Sequence, residues 1–385
     1  MSDNVTRIPG AKKGALRVRL LVLAGVVLLV AALAALYFFR DDLPVAADDA
    51  QVSSVSEKSL TEAFSFDAHT ANRYADFNAG LAVASVSGLS VYKSDGGESR
   101  ILQTPMSTPC VLSCENVVLA YDAGGNSLMS VGKKGTELLN VTAEKPILDA
   151  DLSPDGFACY STSSSGYKSV LYVYNTNGTM IYRWLSSSQY LPLCTISKDG
   201  TYLAAVALGQ ANGIFESRLV VFRTDSEEIY SSVTLGNELF YDLEFLEDGT
   251  LCAVGENSTL WLRMDGTLLG RYSYDGSYLK DFDFGGSGFL TLSLNMYKAG
   301  NRCTVVTVDE TGAELGSSFY TEEILDSSAA GGHVAVLTAN GLDVYTSAME
   351  EPTHLDATQS ATAVVMRTDG SALLLAGGTG WRFVP

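Results

Sequence analysis

A short motif recurs along most of this chain, and its spacing constrains the fold more than any other feature of the sequence. Each copy is an apolar and acidic run that ends in an Asp-Gly turn or a related turn, as in ILDADLSPDG from Ile147. Similar copies begin at residues 191, 239, 279, 324 and 361, and two more degenerate copies begin at Arg73 and Pro109. Over residues 60–385 the eight copies recur about every 41 residues, within the range of about 40–45 residues for a four-stranded propeller blade.

Within each copy, four short apolar segments follow one another. In the copy from Ile147 the second segment is 157–161, the third is SVLYVYNTNG and the fourth is TMIYRWL. β-branched and aromatic segments separated by Gly, Asn and Asp turns indicate consecutive antiparallel hairpins. The sequence therefore predicts an all-β fold, an eight-bladed β-propeller of four-stranded blades. Seven blades are the alternative, because the first two copies are weak.

The two ends of the repeat region predict how the ring closes. The last copy stops after a short third strand, WRFVP, and residues 60–66 (LTEAFSF) form a strand without a blade of its own. If this N-terminal strand supplies the fourth strand of the last blade, the ring has no exposed edge. We therefore expect residues 60–66 to pair with the terminal stretch 371–384.

An apolar segment precedes the repeats. Residues 20–39 are uncharged and mostly apolar, and a helix of that length, at ~1.5 Å per residue, spans a hydrocarbon core about 30 Å thick. The basic arm 1–19 should stay in the cytoplasm, and residues 40–58 have the composition of a solvated linker. The sequence predicts a single-pass membrane protein whose domain 59–385 is extracytoplasmic. A cleaved signal peptide is the alternative, although its apolar region usually spans only about 7–15 residues.

The charge distribution limits the class of partner. The chain carries a net charge of −19, and from Asp41 onward it has 43 acidic and 19 basic residues. This excess of negative charge repels phosphate backbones, so nucleic acid is excluded as a partner. We expect the partner to be an envelope protein or a cell-wall polymer.

The SPDG turn followed by a strand such as LYVYNTNG resembles the repeats of WD40-related and TolB-like propellers. The Trp-Asp and Gly-His pairs of WD40 blades are missing. With its basic arm, one membrane helix and degenerate propeller, the whole chain resembles a bacterial family of membrane-anchored propellers known only as a domain of unknown function. The resemblance implies the fold and the anchor, and it implies no activity.

Acidic residues recur in the first strand of the repeats. They are Asp149, Asp151, Asp242, Glu244, Asp281, Asp283 and Asp326. Apolar residues alternate with them, so the acids share one side of the strand. Because the first strand of a blade borders the central channel, we expect the acids to gather near one mouth of the ring. They could form a negatively charged pocket that binds a cation or a basic segment of a partner. The favoured interpretation is that each acid accepts hydrogen bonds from the backbone of its own inter-blade loop, because a structural turn residue would also recur in every copy.

The remaining motifs predict neither an active site nor a cofactor. The histidines His69, His333 and His354 have no Ser or Cys nearby in a nucleophile motif, and no Gly-rich loop leads from a strand into a helix. The six cysteines lack metal-binding spacing, which leaves disulfides and buried thiols open. We expect no bound metal. A carbohydrate-active enzyme using channel carboxylates such as Asp149 and Asp281 is the alternative function.

Tyrosines fall in several predicted blade-connecting loops. They lie in YLPLC from Tyr190, in SYDGSY ending at Tyr278, and in NMYKAG around Tyr297. Exposed tyrosines often anchor ligands, but a β protein with 19 tyrosines places many at its surface without such a role. The favoured function is a membrane-tethered, extracytoplasmic binding or scaffolding module.

Overall fold

The computed structural model describes residues 59–385, which consist of strands and turns. The predicted arm 1–19, membrane helix 20–39 and linker 40–58 lie outside the described residues. A search of residues 59–385 for a helix long and apolar enough to cross a membrane finds none.

The strands of residues 59–385 form eight antiparallel sheets of four strands each, and each sheet is one blade. A first strand, β1 (Ser59–Ser65), precedes blade 1. Blade 1 contains β2 to β5 (Arg73–Ala75, Leu81–Ser85, Gly88–Tyr92, Glu98–Gln103). Blade 2 contains β6 to β9 (Pro109–Ser113, Val117–Asp122, Ser127–Gly132, Glu137–Thr142). Blade 3 contains β10 to β13 (Ile147–Leu152, Ala158–Ser164, Tyr167–Tyr174, Met180–Ser186), and blade 4 contains β14 to β17 (Tyr190–Ile196, Tyr202–Ala211, Ile214–Arg223, Ile229–Gly236).

The second half of the chain repeats the same pattern. Blade 5 contains β18 to β21 (Phe240–Phe245, Leu251–Gly255, Ser258–Leu262, Leu268–Ser273). Blade 6 contains β22 to β25 (Tyr278–Asp283, Phe289–Asn295, Cys303–Asp309, Glu314–Tyr320). Blade 7 contains β26 to β29 (Ile324–Ala330, His333–Thr338, Leu342–Thr346, Thr353–Leu355). Blade 8 contains β30 to β32 (Ala363–Met366, Ala372–Ala376, Thr379–Val384) together with β1.

The N-terminal strand completes the last blade. β1 pairs antiparallel with β32, with Ser59 opposite Val384 and Ser65 opposite Thr379. This pairing covers the edge of β32 that the end of the chain would leave open. The prediction of an eight-bladed propeller closed by its first strand is confirmed, and the seven-bladed alternative is wrong.

The hydrophobic core lies between the blades. Eight buried apolar clusters each join two neighbouring blades. One cluster packs Trp261 of blade 5 with Leu292 of blade 6, and another packs Leu81 of blade 1 with Leu373 of blade 8. Each fully buried Leu or Phe contributes about 1.5–3 kcal/mol relative to an exposed one. Since the last cluster joins blade 8 to blade 1, the ring is closed by packing as well as by strand pairing.

The first strand of each blade is its innermost strand, because neighbouring first strands such as β10, β14 and β18 contact one another. We call these the inner strands. The inner strands begin at the top face of the ring, which also holds the inter-blade connections and the hairpins between second and third strands. They end at the bottom face, which holds the Asp-Gly turns and the hairpins between third and fourth strands.

The Asp-Gly turns at the bottom face explain why the motif ends in glycine. Gly156 and Gly200 have φ values of 93° and 72°, in the left-handed region that side chains with a Cβ rarely adopt. A Cβ at Gly200 would also lie 2.3 Å from the ring of Phe157. These turns let the second strand fold back directly beside the inner strand.

Candidate functional site

The seven predicted acids all lie on inner strands, from the third to the sixth position of each strand. They therefore line the channel wall from its middle towards the bottom face, and earlier residues form the top mouth. The alternation predicted from the sequence is present. In β10, Ala150 and Leu152 pack into the core shared with blade 2, whereas Asp149 and Asp151 reach blade 4.

The boundary between the inner strands of two neighbouring blades, which we call a seam, is where these acids act. At the seam between blades 3 and 4, Asp149 accepts a hydrogen bond from the amide of Cys194 at 2.9 Å. Asp151 accepts one from the amide of Ile196 at 3.0 Å and one from the hydroxyl of Thr195 at 2.8 Å. Because Asp151 is only 8% exposed, these bonds satisfy a carboxylate that would otherwise be costly to bury.

The seam between blades 6 and 7 is joined in the same way. Asp283 accepts a hydrogen bond from the amide of Ala329 at 2.9 Å, and Asp281 accepts one from the hydroxyl of Ser327 at 2.7 Å. Asp283 also accepts a bond at 2.6 Å from Gly285 in its own turn. The expected alternative, a bond within the acid's own loop, therefore exists at Asp283, but most partners belong to the next blade.

At the seam between blades 7 and 8, one acceptor oxygen is charged and the other is neutral, and both occupy the same side of the inner strand. Asp326 accepts a hydrogen bond from the amide of Val364 at 2.8 Å. Two residues later Ser328 takes the place of an acid, and its hydroxyl accepts a bond from the amide of Met366 at 3.1 Å. A neutral oxygen at this position therefore joins the blades as the carboxylates do.

Hydrogen bonds at or near the inner strands also join the remaining blades, with one exception described below. Between blades 1 and 2, the Ser113 hydroxyl donates to the Asp76 carbonyl at 2.8 Å. Between blades 2 and 3, the Gly124 amide donates to the Ile147 carbonyl at 2.8 Å. Between blades 4 and 5, the Phe245 amide donates to the Thr195 hydroxyl at 3.1 Å. At the seam between blades 8 and 1, the buried Arg367 donates to the Gly80 carbonyl at 2.5 Å and forms an ion pair with Asp76 at 2.9 Å.

The seam between blades 5 and 6 is the exception. Asp242 and Glu244 occupy the positions in β18 that Asp149 and Asp151 occupy in β10. Asp242 accepts a hydrogen bond only from Leu243, its neighbour in the chain, at 2.8 Å. Glu244 accepts no hydrogen bond from any residue in the range 59–385. This seam is therefore open at the channel, although the hydrophobic core behind it is packed.

A cavity of about 420 Å³ lies at the bottom face along this open seam. Its walls include the carboxylates Glu244, Glu247 and Glu310 and the apolar side chains Trp261 and Phe284. The turn 285–288 of blade 6 forms another part of the wall, and turns of blades 3, 7 and 8 border the side towards the channel. The volume lies within the range of about 300–1,000 Å³ that small-ligand sites occupy.

The acids of blades 3 and 5 interact electrostatically across the channel. Burial raises the pKa of Asp149, Asp151, Asp242 and Glu244, and the repulsion between Asp149 and Asp242 adds to the effect. The pKa of Glu244 rises well above its usual range, because burial is reinforced by the charges of Asp151, Asp242 and Asp149. Glu244 is therefore protonated at pH values where an exposed glutamate is ionised.

The acids of blades 6 and 7 form a second interacting group. Burial raises the pKa of Asp283 to about 6, against the hydrogen bond from Ala329. Burial also raises the pKa of Asp326 to about 7, with a smaller contribution from the charge of Asp281. The channel wall therefore changes its charge near neutral pH.

The described residues contain no arrangement of three His, Cys, Asp or Glu side chains that fits a metal ion. The two carboxylates named for the carbohydrate-active alternative, Asp149 and Asp281, each have an oxygen occupied by a hydrogen bond from the next blade. All six cysteines are free, and the Sγ atoms of Cys159 and Cys194 lie 3.7 Å apart in the core. These side chains serve the packing and the joining of blades.

The top face carries a feature that the acid pattern did not indicate. Five consecutive blades, 3 to 7, begin their inner strand with an exposed apolar side chain, and we call this set the apolar arc. Its members are Leu148, Tyr190, Tyr241, Tyr278 and Leu325. The same face adds exposed side chains from the hairpins between second and third strands, among them Tyr167, Ile214 and Tyr297. At the bottom face, exposed apolar side chains lie instead on outer strands, where Met180, Ile229 and Leu268 directly follow the hairpins between third and fourth strands.

β-Bulges explain why sequence reasoning missed part of the apolar arc. The pairing of inner and second strands shifts between Ile147 and Asp149, and again between Ile324 and Asp326. A bulge adds an unpaired residue and re-aims its side chain, here Leu148 and Leu325. Of the tyrosines that the sequence placed in blade-connecting loops, Tyr190, Tyr278 and Tyr297 are exposed, but Tyr297 lies in a hairpin within blade 6. Strict alternation predicts that one of two neighbouring apolar residues is buried, so it does not predict the exposure of Leu148 or Leu325.

Comparison with known proteins identifies the family. The model of a family of unknown function, DUF5711, matches residues 51–377. The chain belongs to this family. The resemblance to a family of unknown function is thereby confirmed, and the membership carries no activity with it. No curated protein matches the chain.

Solved structures show where else this fold occurs. The Saccharomyces cerevisiae protein Sqt1 matches with a TM-score of 0.59 and 10% identity, over 85% of this chain and 100% of that chain. The Dos1 propeller matches with a TM-score of 0.57 and 12% identity, over 84% and 94%. Quinohemoprotein alcohol dehydrogenase from Comamonas testosteroni matches with a TM-score of 0.57 and 9% identity, over 88% and 78%. At such identities the likeness shows the fold alone.

Proposed function

We propose that this DUF5711 chain is a membrane-tethered scaffold whose propeller binds an envelope protein outside the cytoplasm through its top face. The apolar arc is the observation that carries the proposal. Single exposed apolar residues are ordinary on protein surfaces, but large apolar and aromatic side chains gathered at one face are typical of interaction sites. In the described part of the chain, the opposite face has no such set on its inner strands, and its exposed apolar side chains lie on outer strands.

Two sequence features support the placement and the class of partner. Residues 20–39 are long and apolar enough for a membrane helix, and the basic arm 1–19 favours a cytoplasmic N-terminus. The excess of acidic residues after Asp41 favours a partner with a basic surface. Proteolysis of intact cells should release a folded fragment that begins within residues 41–58, and protection of that segment would contradict the topology.

Crosslinking in the native cells tests the binding face. A photo-crosslinking amino acid at Leu325 should capture one protein partner. The triple variant Tyr190→Ser, Tyr241→Ser and Tyr278→Ser should lose at least about tenfold of that capture, since buried tyrosines at interfaces each cost more than about 1–2 kcal/mol when truncated.

A matched control removes exposed apolar side chains from outer strands instead. Ile181→Ser, Ile229→Ser and Leu268→Ser change residues that are 42%, 45% and 54% exposed on blades 3, 4 and 5. This variant should keep the crosslink. Equal loss in both variants, or capture of a wall polymer in place of a protein, would count against the proposal.

A further inference from the structure

The open seam between blades 5 and 6 holds a partly exposed carboxylate, Glu244, that accepts no hydrogen bond from residues 59–385. Asp151 in blade 3 accepts two hydrogen bonds from blade 4, whereas Glu244 at the equivalent position accepts none. The next blade offers Phe284 and a glycine-rich turn, and a cavity of about 420 Å³ takes the place of the missing contact. The carboxylate of Glu244 therefore faces the cavity without a hydrogen-bond donor from residues 59–385.

The remaining walls of the cavity define what would fit beside Glu244. Two further carboxylates, Glu247 and Glu310, line it, and Lys, Arg and His are absent from its lining. The charges of Asp248 and Asp309 act on Glu310 from just outside. Most of the other side chains in the lining are apolar, and they include the indole of Trp261. A ligand that complements this lining carries a positive charge with several N–H donors and an apolar body.

We propose that this cavity binds an organic ammonium group on an apolar stem, with Glu244 as the acceptor at its inner end. The ammonium group donates the hydrogen bonds that blade 6 does not supply, and charge-assisted bonds of this kind are about twice as strong as neutral ones. The stem packs against Trp261 and Phe284, and an aromatic face also attracts a nearby cation. A bare metal ion fits less well, because the described residues contain no set of three side chains placed to ligate one.

The acidic residues around the cavity predict that its affinity for a cation depends on pH. The charges of Asp149, Asp151 and Asp242 face Glu244 from blades 3 and 5, and Glu247 and Glu310 face the cavity from the turns. Burial and these charges raise the pKa of Glu244 well above its usual range, so the free cavity favours the protonated acid. A cation favours the ionised form, so binding releases a proton and the affinity should rise with pH.

This cavity lies at the bottom face, whereas the apolar arc lies at the top face. The inference therefore goes beyond the proposed function, and either can fail without the other.

Calorimetric titration of the full-length chain in detergent with n-pentylamine tests the site, with n-pentanol as the neutral analogue. We expect pentylamine to bind at least about tenfold more tightly than pentanol, and the affinity for pentylamine to rise as the pH is raised. Glu244→Gln should remove at least about tenfold of the affinity for pentylamine and flatten its pH dependence. Glu350→Gln, an exposed acid on a bottom-face turn of blade 7, is the matched control and should change neither.

A second variant tests the site independently, so that the test does not depend on correct folding of Glu244→Gln. Ser287→Trp adds bulk at an exposed position that lines the cavity, and it should block pentylamine without lowering thermal stability. Nα-acetyl-lysine methylamide tests whether the group can come from a protein side chain; binding weaker than that of pentylamine would assign the site to free amines. Equal binding of amine and alcohol, or unchanged affinity in Glu244→Gln, would overturn the proposal.

Discussion

The seam between blades 3 and 4 and the seam between blades 5 and 6 carry acids at the same two positions, yet only the first is joined at the channel. Asp149 and Asp151 accept amide hydrogen bonds from blade 4, whereas Asp242 and Glu244 accept none from blade 6. Acidic residues at the same two positions of two repeats therefore have different roles. The partner in the following blade decides whether an acid joins two blades or remains free for a ligand.

Other contacts hold the open seam together. Behind the channel, Trp261 packs against Leu292 in the core between blades 5 and 6. At the periphery, the Tyr272 hydroxyl donates to Glu314 at 3.2 Å. The inner part of this seam is therefore free of a structural task, which is the condition under which a binding site can be accommodated without opening the ring.

The seam between blades 8 and 1 should lose the most folding stability when its polar contact is removed. Arg367→Met leaves Asp76 and the Gly80 carbonyl without their partner, and breaking a buried pair in this way costs about 3–5 kcal/mol. Denaturant unfolding measures the loss. The control Arg382→Met removes an exposed pair with Asp369, which is worth at most about 1 kcal/mol. Equal losses would contradict a special role for this seam.

Matched substitutions at the equivalent positions compare the joined and open seams directly. Asp151→Ala removes two hydrogen bonds to blade 4 and leaves a buried amide unsatisfied, so unfolding free energy should fall by about 2–4 kcal/mol. Glu244→Ala removes an acid with no hydrogen bond, so it should change stability by less than about 0.5 kcal/mol or increase it. A larger loss for Glu244→Ala than for Asp151→Ala would reverse the comparison.

The pH dependence of stability should reveal the raised pKa values of both acid groups. A carboxyl whose pKa is higher in the folded than in the unfolded chain binds more protons when folded, so its effect is to make stability fall as pH rises. With Asp283 at about 6 and Asp326 at about 7, the fall should extend from about pH 4, the unfolded value, to about pH 7. The raised pKa of the exposed His354 acts in the same direction.

Asp326→Asn isolates one of these groups in the same titration. The amide oxygen can still accept the bond from Val364, but it carries no charge to bury. The variant should match the original chain near pH 4 and be more stable at pH 8, as thermal unfolding at the two pH values would show. An equal difference in stability between the variant and the original chain at pH 4 and at pH 8 would contradict the raised pKa of Asp326.

The architecture was predictable because it follows from local patterns repeated along the chain. The Asp-Gly turns mark the end of each inner strand, and the unmatched strand at 60–66 predicted its pairing with β32. Alternation also placed the acids correctly on the side opposite Ala150 and Leu152. Each of these signals is contained in fewer than about a dozen neighbouring residues, so an isolated sequence retains it.

The partners of the acids were not predictable in the same way. Asp151 meets Thr195 and Ile196, 44 and 45 positions further along the chain, and the outcome at Glu244 depends on how Phe284 packs. Such contacts depend on the three-dimensional register between blades. The bulge that exposes Leu148 is a further departure from simple alternation, and it leaves no local signal as distinct as a turn.

Hydrogen exchange of inner-strand amides tests whether the channel acids join the blades at the seam between blades 3 and 4 but not at the seam between blades 5 and 6. Cys194 and Ile196 donate their amides to Asp149 and Asp151, whereas Phe282 in β22 and Phe284 directly after it occupy the equivalent positions without an acceptor from blade 5. We expect the first pair to exchange at least about tenfold more slowly than the second at the same pH. Equal protection of both pairs would contradict it.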